Sequence, residues 1–380
     1  MLNKLKKIIY TITFKIINQI FVIIFPLKQN KILLLSDVRG VLGGNLQFVY
    51  DKIKNSKAYE IKIIFKADRS IKRTLKQNIE LIYHLSISKY ILLDDASHSV
   101  ALMKVREGQE VCQLWHASGA FKTFGYSRND REIKNQNDIW HYKYTKAFVS
   151  SENIRECYAE GFGIPLENVI AAGTPRTDVF FDEKLKSKTK KEILNKYPAL
   201  KDKKIILFAP TYRGTSVSQA TYDFDAIDYK FLYENLKDEY IFIFKWHPAI
   251  YWNIKDSLQK ELSDMSDFYY DFSSDRDIND LLFIADILIT DYSSVLFDWA
   301  LLKKPIIYFV YDLYSYIVER GFYFKFSDYL YGPVIKTEDE LVNAIKNAKF
   351  DNKKNQRFIK QFMGACDGNS TEKVIETILQ

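Results

Sequence analysis

The chain of 380 residues exceeds the roughly 100 to 200 of one domain, so two domains with a sizeable core each are expected. Hydrophobic residues make up 47% and charged residues 27%, and only 14 Gly and 8 Pro leave no room for long low-complexity linkers; a disordered chain and a small disulfide scaffold are excluded. The net charge of +7 favours anionic partners such as phosphorylated substrates or acidic lipid, but no concentrated basic stripe is present, so no nucleic acid is expected as a partner.

Residues 1–28 predict an amphipathic membrane-associating helix. A spanning helix needs about 20 predominantly apolar residues, and Lys15, Asn18 and Gln19 interrupt this run. A signal peptide needs a cleaner apolar core and a small-residue cleavage site. On a helix, Lys4, Lys7, Thr11, Lys15 and Asn18 form a polar stripe opposite Ile9, Ile12, Ile16, Ile20 and Ile23. That pattern suits peripheral attachment to the cytoplasmic leaflet of the cell membrane. The alternative is a helix packed on the protein's own core. The apolar face would also permit a homo-oligomer, although nothing requires one. Cys112, Cys157 and Cys366 stand apart, which points to a reducing cytoplasm rather than a zinc site or a disulfide framework.

Short apolar runs follow at Ile32 to Leu35, Ile61 to Phe65, Tyr90 to Leu93, Val111 to Leu114, Ala147 to Ser150 and Val169 to Ala172, each read as a buried strand. A charged stretch over residues 182–204 separates them from a second series at Ile205 to Phe208, Ile241 to Phe244, Phe268 to Tyr270, Ile287 to Thr290 and Ile306 to Val310, with a helical finish after Thr337. Strands alternating with helical patterns predict an α/β protein of two Rossmann-like, doubly wound domains, residues 29–190 and 191–380. Ligands are expected at the carboxyl ends of the strands.

Chemistry-bearing residues recur at those ends. QLWHASGAFKTFG, residues 113–125, puts His116 just past a strand, followed by the small residues Ala117, Ser118 and Gly119 that let a ligand approach the backbone. IFIFKWHP, residues 241–248, places Lys245 and His247 in the same way. In DYSSVLFDWALLKKP, residues 291–305, Ser293 or Ser294 is expected to cap a helix running to Lys303, with Asp298 one turn on to meet a ribose or alditol hydroxyl. Arg176 in GTPRTD and Arg213 in FAPTYRG are candidates for bidentate phosphate binding. Asp275 and Asp277 have a spacing that some metal sites use, but charged loops produce it often. GVLGGN, residues 40–45, lacks the dinucleotide fingerprint and reads as a tight turn, and Ser127, Ser151 and Ser293 lack nucleophile-elbow glycines.

WHASGAFKTFG, GTPRTD, FAPTYRG, KWHP and TDYSSVLFDWALLKKPIIYF, in this order, resemble the CDP-glycerol glycerophosphotransferase family of teichoic-acid synthases over roughly residues 30–375. The resemblance implies a glycosyltransferase-B architecture, two domains facing a central cleft, with an amino-terminal acceptor domain and a carboxy-terminal domain for the CDP-alditol donor. It implies transfer of the phosphoalditol to a membrane-linked acceptor with release of CMP, without a catalytic metal or cofactor. Carried over by motif, His116 and His247 match the two essential histidines. Substrate contacts would come from Trp115, Ala117, Ser118, Gly119, Arg176, Pro210, Thr211, Lys245, Trp246, Ser293, Ser294 and Asp298; Arg213 is added by charge alone. Many polymerases of the family have Gly and then Thr-Pro after the first histidine. The Ala-Ser-Gly found here, in a short chain, looks more like a primase that adds glycerol phosphate from CDP-glycerol to a polyprenyl-diphosphate-linked GlcNAc-ManNAc disaccharide. Chain-extending enzymes acting on a growing teichoic acid, and users of CDP-ribitol, stay open. A nucleotide-sugar glycosyltransferase and a non-catalytic membrane scaffold are the readings outside the family.

Overall fold

The computed structural model describes residues 2–128, 141–214, 219–251, 254 and 256–379. Two compact units result: Met1–Gly119 with Phe124–Asp178 and Gly364–Gln380, and Ala120–Thr123 with Val179–Met363. Position 190–191, expected as the boundary, lies inside helix Glu183–Lys196. This lysine-rich stretch reads as a linker, yet Asp182 caps it by accepting from the Leu185 amide, and Thr189 and Ile193 are buried on its inner face.

The first unit holds strands β1 (Lys28–Ser36), β2 (Glu60–Phe65), β3 (Ser88–Leu93), β4 (Glu110–Gln113), β5 (Lys146–Phe148) and β6 (Val169–Ile170). They pair in parallel in the order β2-β1-β3-β4-β5-β6. The consecutive residues Ile32 to Leu35 of β1 are fully buried, as a sheet covered on both faces requires. The order reverses between β1 and β3, and such a switch point opens a crevice at the strands' carboxyl ends.

The second unit holds β7 (Lys204–Phe208), β8 (Tyr240–Phe244), β9 (Tyr269–Asp271), β10 (Ile287–Thr290), β11 (Ile306–Phe309) and β12 (Val334–Ile335), parallel in the order β12-β11-β10-β7-β8-β9. Its switch point lies between β7 and β10. β12, Val334–Ile335, lies between Pro333 and Lys336 and forms no longer apolar run. An aromatic core of Phe208, Phe242, Phe244 and Trp246 lies under this sheet, with Phe244 and Trp246 stacked at 5.2 Å. Such pairs add about 0.5–1.5 kcal/mol beyond the area they bury.

The amino-terminal helix Leu2–Ile24 lies against the first unit. Leu5–Ile24 is long and apolar enough to cross a membrane by length and composition alone. One face, however, is docked: Phe14 and Asn18 are buried, Asn18 Nδ2 donates to Ser86 Oγ (2.9 Å), and Asn18 Oδ1 accepts from the Lys104 amide (2.7 Å). Phe21 packs edge-on against Tyr83 at 6.1 Å. The isoleucines at 8, 9, 12, 16, 20, 23 and 24 face outward, as do Lys7 and Lys15; the Lys4 side chain lies outside the described residues. The sequence pattern is therefore present, with its asparagine turned inward as the docking contact.

Candidate active site

In the first unit the chain leaves β4 through Trp115, whose φ of 54° is a left-handed conformation that costs a non-glycine residue about 1 kcal/mol or more. Two contacts hold it there. Its amide donates to Gln113 Oε1 (2.9 Å), and its carbonyl accepts from Asn45 Nδ2 (2.7 Å). The indole is buried edge-on against Phe162 at 5.1 Å. This turn delivers His116 to the surface, 44% exposed, with its ring 4.3 Å from that of Trp115 and Nδ1 3.5 Å from Asp95 Oδ2.

The small residues that follow are fastened rather than open. The Gly119 amide donates to Ser150 Oγ (2.9 Å), and Tyr158 OH donates to the carbonyls of Gly119 (2.9 Å) and Ala117 (3.3 Å). Arg176 joins this group, its Nη2 donating to Ser118 Oγ (3.3 Å) and its amide to Asn45 Oδ1 (2.9 Å). Asp178 in the same motif accepts from the amides of Ser370 and Thr371, which begins helix Ser370–Ile378. Asn45 also donates to the Leu114 carbonyl (2.9 Å) and thus ties the loop after β1 to those after β4 and β6. It ends the GVLGGN stretch and was not singled out by sequence; an amide beside glycines after a strand is the only signal there.

In the second unit, β7 leads into Pro210 and Thr211, both buried, and β10 into Asp291. Asp291 Oδ1 accepts from the Thr211 amide (2.8 Å), joining the two sides of the switch point. Arg213, expected to meet phosphate, is taken up within the protein. Nη1 donates to Asp291 Oδ2 (2.7 Å), while Nε and Nη2 donate to the two oxygens of Asp312 at 2.5 and 2.9 Å. The guanidinium also lies 5.2–5.4 Å from the ring centres of Tyr222, Tyr292, Tyr311 and Tyr316. Burial opposes its charge, and Asp291 with Asp312 more than reverses this, raising its pKa further.

Lys245 Nζ donates to the carbonyls of Phe272, Ser273 and Arg276, holding the loop after β9; burial lowers its pKa. Trp246 is a core residue, 1% exposed. His247 Nδ1 accepts from the Ala249 amide (3.1 Å), which puts the proton on Nε2. Burial, then the Lys122 ammonium, lower its pKa to about 4, so at neutral pH it is an uncharged donor. The Tyr212 ring lies 4.8 Å from His247 and 5.4 Å from the Arg320 guanidinium. Lys122 itself is lowered to about 8 by burial, against the pull of Asp291. It is carried by Ala120–Thr123, where Thr123 pairs with Gly321 and Phe121 with Tyr323. Lys122, Tyr212 and Arg320 escaped the sequence reading; Lys122 lies six positions after His116 in the same motif.

Ser293 and Ser294 are half-buried before helix Val295–Leu301, which ends short of the expected Lys303 because Lys303 turns to a φ of 55°. Ser294 occupies the cap position without a side-chain capping bond, and Asp298 is 2% exposed. Asp275 pairs with Lys196 and Tyr197, and Asp277 caps helix Ile278–Ile284. Among the described residues no group of three His, Cys, Asp or Glu could hold a metal ion.

Removing the Arg213 charge strands the buried Asp291 carboxylate and the partly buried Asp312. Arg213→Met is expected to lower stability by about 3–5 kcal/mol and Asp275→Asn, at an exposed pair, by under about 1 kcal/mol, read from urea unfolding. Equal effects would contradict the clasp.

Residues 16–380 match the family described as CDP-Glycerol:Poly(glycerophosphate) glycerophosphotransferase. The chain is 45% identical over 363 residues to the teichoic acid poly(ribitol-phosphate) polymerase of Bacillus spizizenii, a match covering 94% of this chain and 57% of that protein, so it spans little more than half of that relative's length. It is 30% identical over 388 residues to the teichoic acid ribitol-phosphate primase of the same organism, covering 99% of this chain and 97% of that one. The solved structure of the wall teichoic acid polymerase TagF shares the fold, with a TM-score of 0.74 at 20% identity over 100% of this chain and 97% of that one. The chain belongs to the CDP-glycerol:poly(glycerophosphate) glycerophosphotransferase family.

Proposed function

We propose that this chain is a CDP-alditol phosphotransferase of teichoic-acid synthesis, moving a phosphoalditol from the nucleotide to a hydroxyl of a polyprenyl-diphosphate-linked acceptor and releasing CMP. The observation that carries this reading is the primase match, which runs over nearly the full length of both chains. The acceptor oxygen attacks the phosphorus nearest the alditol, the bond from that phosphorus to the bridging oxygen breaks, and CMP leaves with the electron pair. His116, exposed past β4, accepts the hydroxyl proton. The neutral Nε2–H of His247, with Lys122 and Arg320 beside Tyr212, receives the phosphate charge. Arg176 contributes at the Ser118 loop. Lys245, Trp246, Pro210, Thr211, Arg213 and Asp298 act in this reading by shaping those loops, and Ser293 and Ser294 by lining them. No metal is required, because the chain's own cations carry the charge.

The sequence motifs put CDP-glycerol and priming first. Both relatives described above carry ribitol phosphate in their names, and we therefore put CDP-ribitol first as donor, with chain extension beside priming. CMP release and product mass are to be followed with CDP-ribitol and CDP-glycerol, on the lipid-linked GlcNAc-ManNAc disaccharide and on the same acceptor already carrying glycerol phosphate. CMP from CDP-ribitol on the primed acceptor is expected. Turnover confined to CDP-glycerol and the bare disaccharide would restore the glycerol primase, and no CMP from either donor would overturn the reading.

The exposed isoleucine face of helix Leu2–Ile24, with Lys7 and Lys15 at the surface, supports peripheral attachment at the cytoplasmic face of the membrane. In flotation with anionic vesicles, Ile12→Asp with Ile16→Asp is expected to cut the bound fraction about tenfold or more. Equal binding by the double variant would contradict that attachment.

A further inference from the structure

We infer that Asp95 is the positioning residue of the transfer: its Oδ2 accepts a hydrogen bond from the Nδ1–H of His116, which leaves Nε2 to accept the proton of the attacking hydroxyl, and Arg69 fixes the carboxylate in that pose. The inference rests on the reading of His116 as the base.

The sheet order brings these groups together. Asp95 stands two residues past β3, at the side of the switch point next to β4, whose own end leads to His116. One glutamine fastens both loops: Gln113 Nε2 donates to the Asp95 carbonyl (3.2 Å) while Gln113 Oε1 accepts the Trp115 amide (2.9 Å). Asp95 Oδ1 accepts from Arg69 Nη2 (2.6 Å) and from the Ala96 amide (2.6 Å), which turns Oδ2 toward His116 Nδ1 at 3.5 Å. That separation is longer than a hydrogen bond, and such contacts tighten when substrate binds. With the Trp115 ring on one face, the imidazole is confined in plane and in tautomer.

Among the described residues, Asp94 adjoins Asp95, paired with Arg39 (2.6 Å) and raised in pKa by burial, and further titratable or charged groups around the pair come from three elements. Arg69 follows β2. His141 and Tyr144 precede β5; burial lowers His141 to about 4 and raises Tyr144, so both are neutral at neutral pH. Arg176 reaches the loop through Ser118. During transfer the proton passes from the acceptor oxygen to Nε2, Nδ1 keeps its own, and the Asp95 carboxylate stabilises the imidazolium that forms.

The test uses the full chain with the donor and acceptor that turn over. Asp95→Asn is expected to lower kcat about 100-fold with the donor KM changed by less than about twofold, and to move the acidic limb of the kcat/KM profile down by about one pH unit, because the imidazolium loses its anion. Asp95→Glu should recover about tenfold, and in a His116→Ala background Asp95→Asn should cost less than about threefold. Nitrogen-15 spectra of the imidazole should show the proton on Nδ1 in the parent and on Nε2 in Asp95→Asn, a readout independent of turnover. If Asp95→Asn keeps the parent's kcat, pH profile and tautomer while His116→Ala is inactive, the inference fails and the base assignment stands. If His116→Ala turns over normally, the base assignment fails and the inference with it.

Discussion

A loop that leaves the carboxyl end of a buried parallel strand loses the sheet's hydrogen bonds while its backbone is still shielded from water, so side chains must satisfy it. Every functional residue proposed here depends on that constraint. In the first unit Asn45 meets it, donating to the carbonyls of Leu114 and Trp115 and accepting from the Arg176 amide. In the second unit Asp291 does so, accepting from the Thr211 amide and the Arg213 guanidinium. The His116 loop is thus fastened by the buried Asn45 amide, and Asp291 joins the loops after β7 and β10; the His247 segment is held instead through Lys245 and the Trp246 amide, which donates to Ser273 Oγ (2.9 Å).

The two histidines stand in similar sequence surroundings, a tryptophan before each, but differ in physical state. His116 is exposed beside the Asp95 carboxylate, as the proton acceptor proposed for it requires. His247 is held neutral by burial and the Lys122 ammonium, with its donor on Nε2, and suits hydrogen bonding to an oxygen more than proton uptake. A proton acceptor and a hydrogen-bond donor to the phosphate are the two functions a phosphoryl transfer from a nucleotide diphosphate needs from side chains when the leaving group is already a stable anion. The docked face of the amino-terminal helix leaves its isoleucines exposed, and the membrane attachment proposed for them would raise the local concentration of a lipid-borne acceptor.

Eleven of the twelve strands were legible because a parallel sheet buried on both faces writes itself as unbroken apolar runs; β6, though as short as β12, continues into Ala171 and Ala172, whereas β12 is flanked by Pro333 and Lys336. Strand-end placement also singled out His116, His247 and Arg176, on which the proposed function rests. It missed Asn45, since an asparagine after glycines reads as turn chemistry, and it missed Asp95, although the same placement after Tyr90 to Leu93 was available. What sequence could not tell was which polar groups are already satisfied. Arg213 has the sequence of a phosphate ligand and the contacts of an internal clasp, Lys245 holds three carbonyls, and Trp246 faces the aromatic core. Those distinctions rest on partners far along the chain, such as Asp312 for Arg213, which no local pattern reveals.

The central claim is a division of labour, proton transfer at His116 and phosphate recognition at His247. Calorimetric titration of CDP-alditol into the His116→Ala and His247→Ala proteins tests it most directly. The account predicts that His116→Ala binds the donor within about threefold of the parent while releasing no CMP, and that His247→Ala loses about tenfold or more in donor affinity. Loss of donor binding in His116→Ala, or parental affinity in His247→Ala, would contradict it.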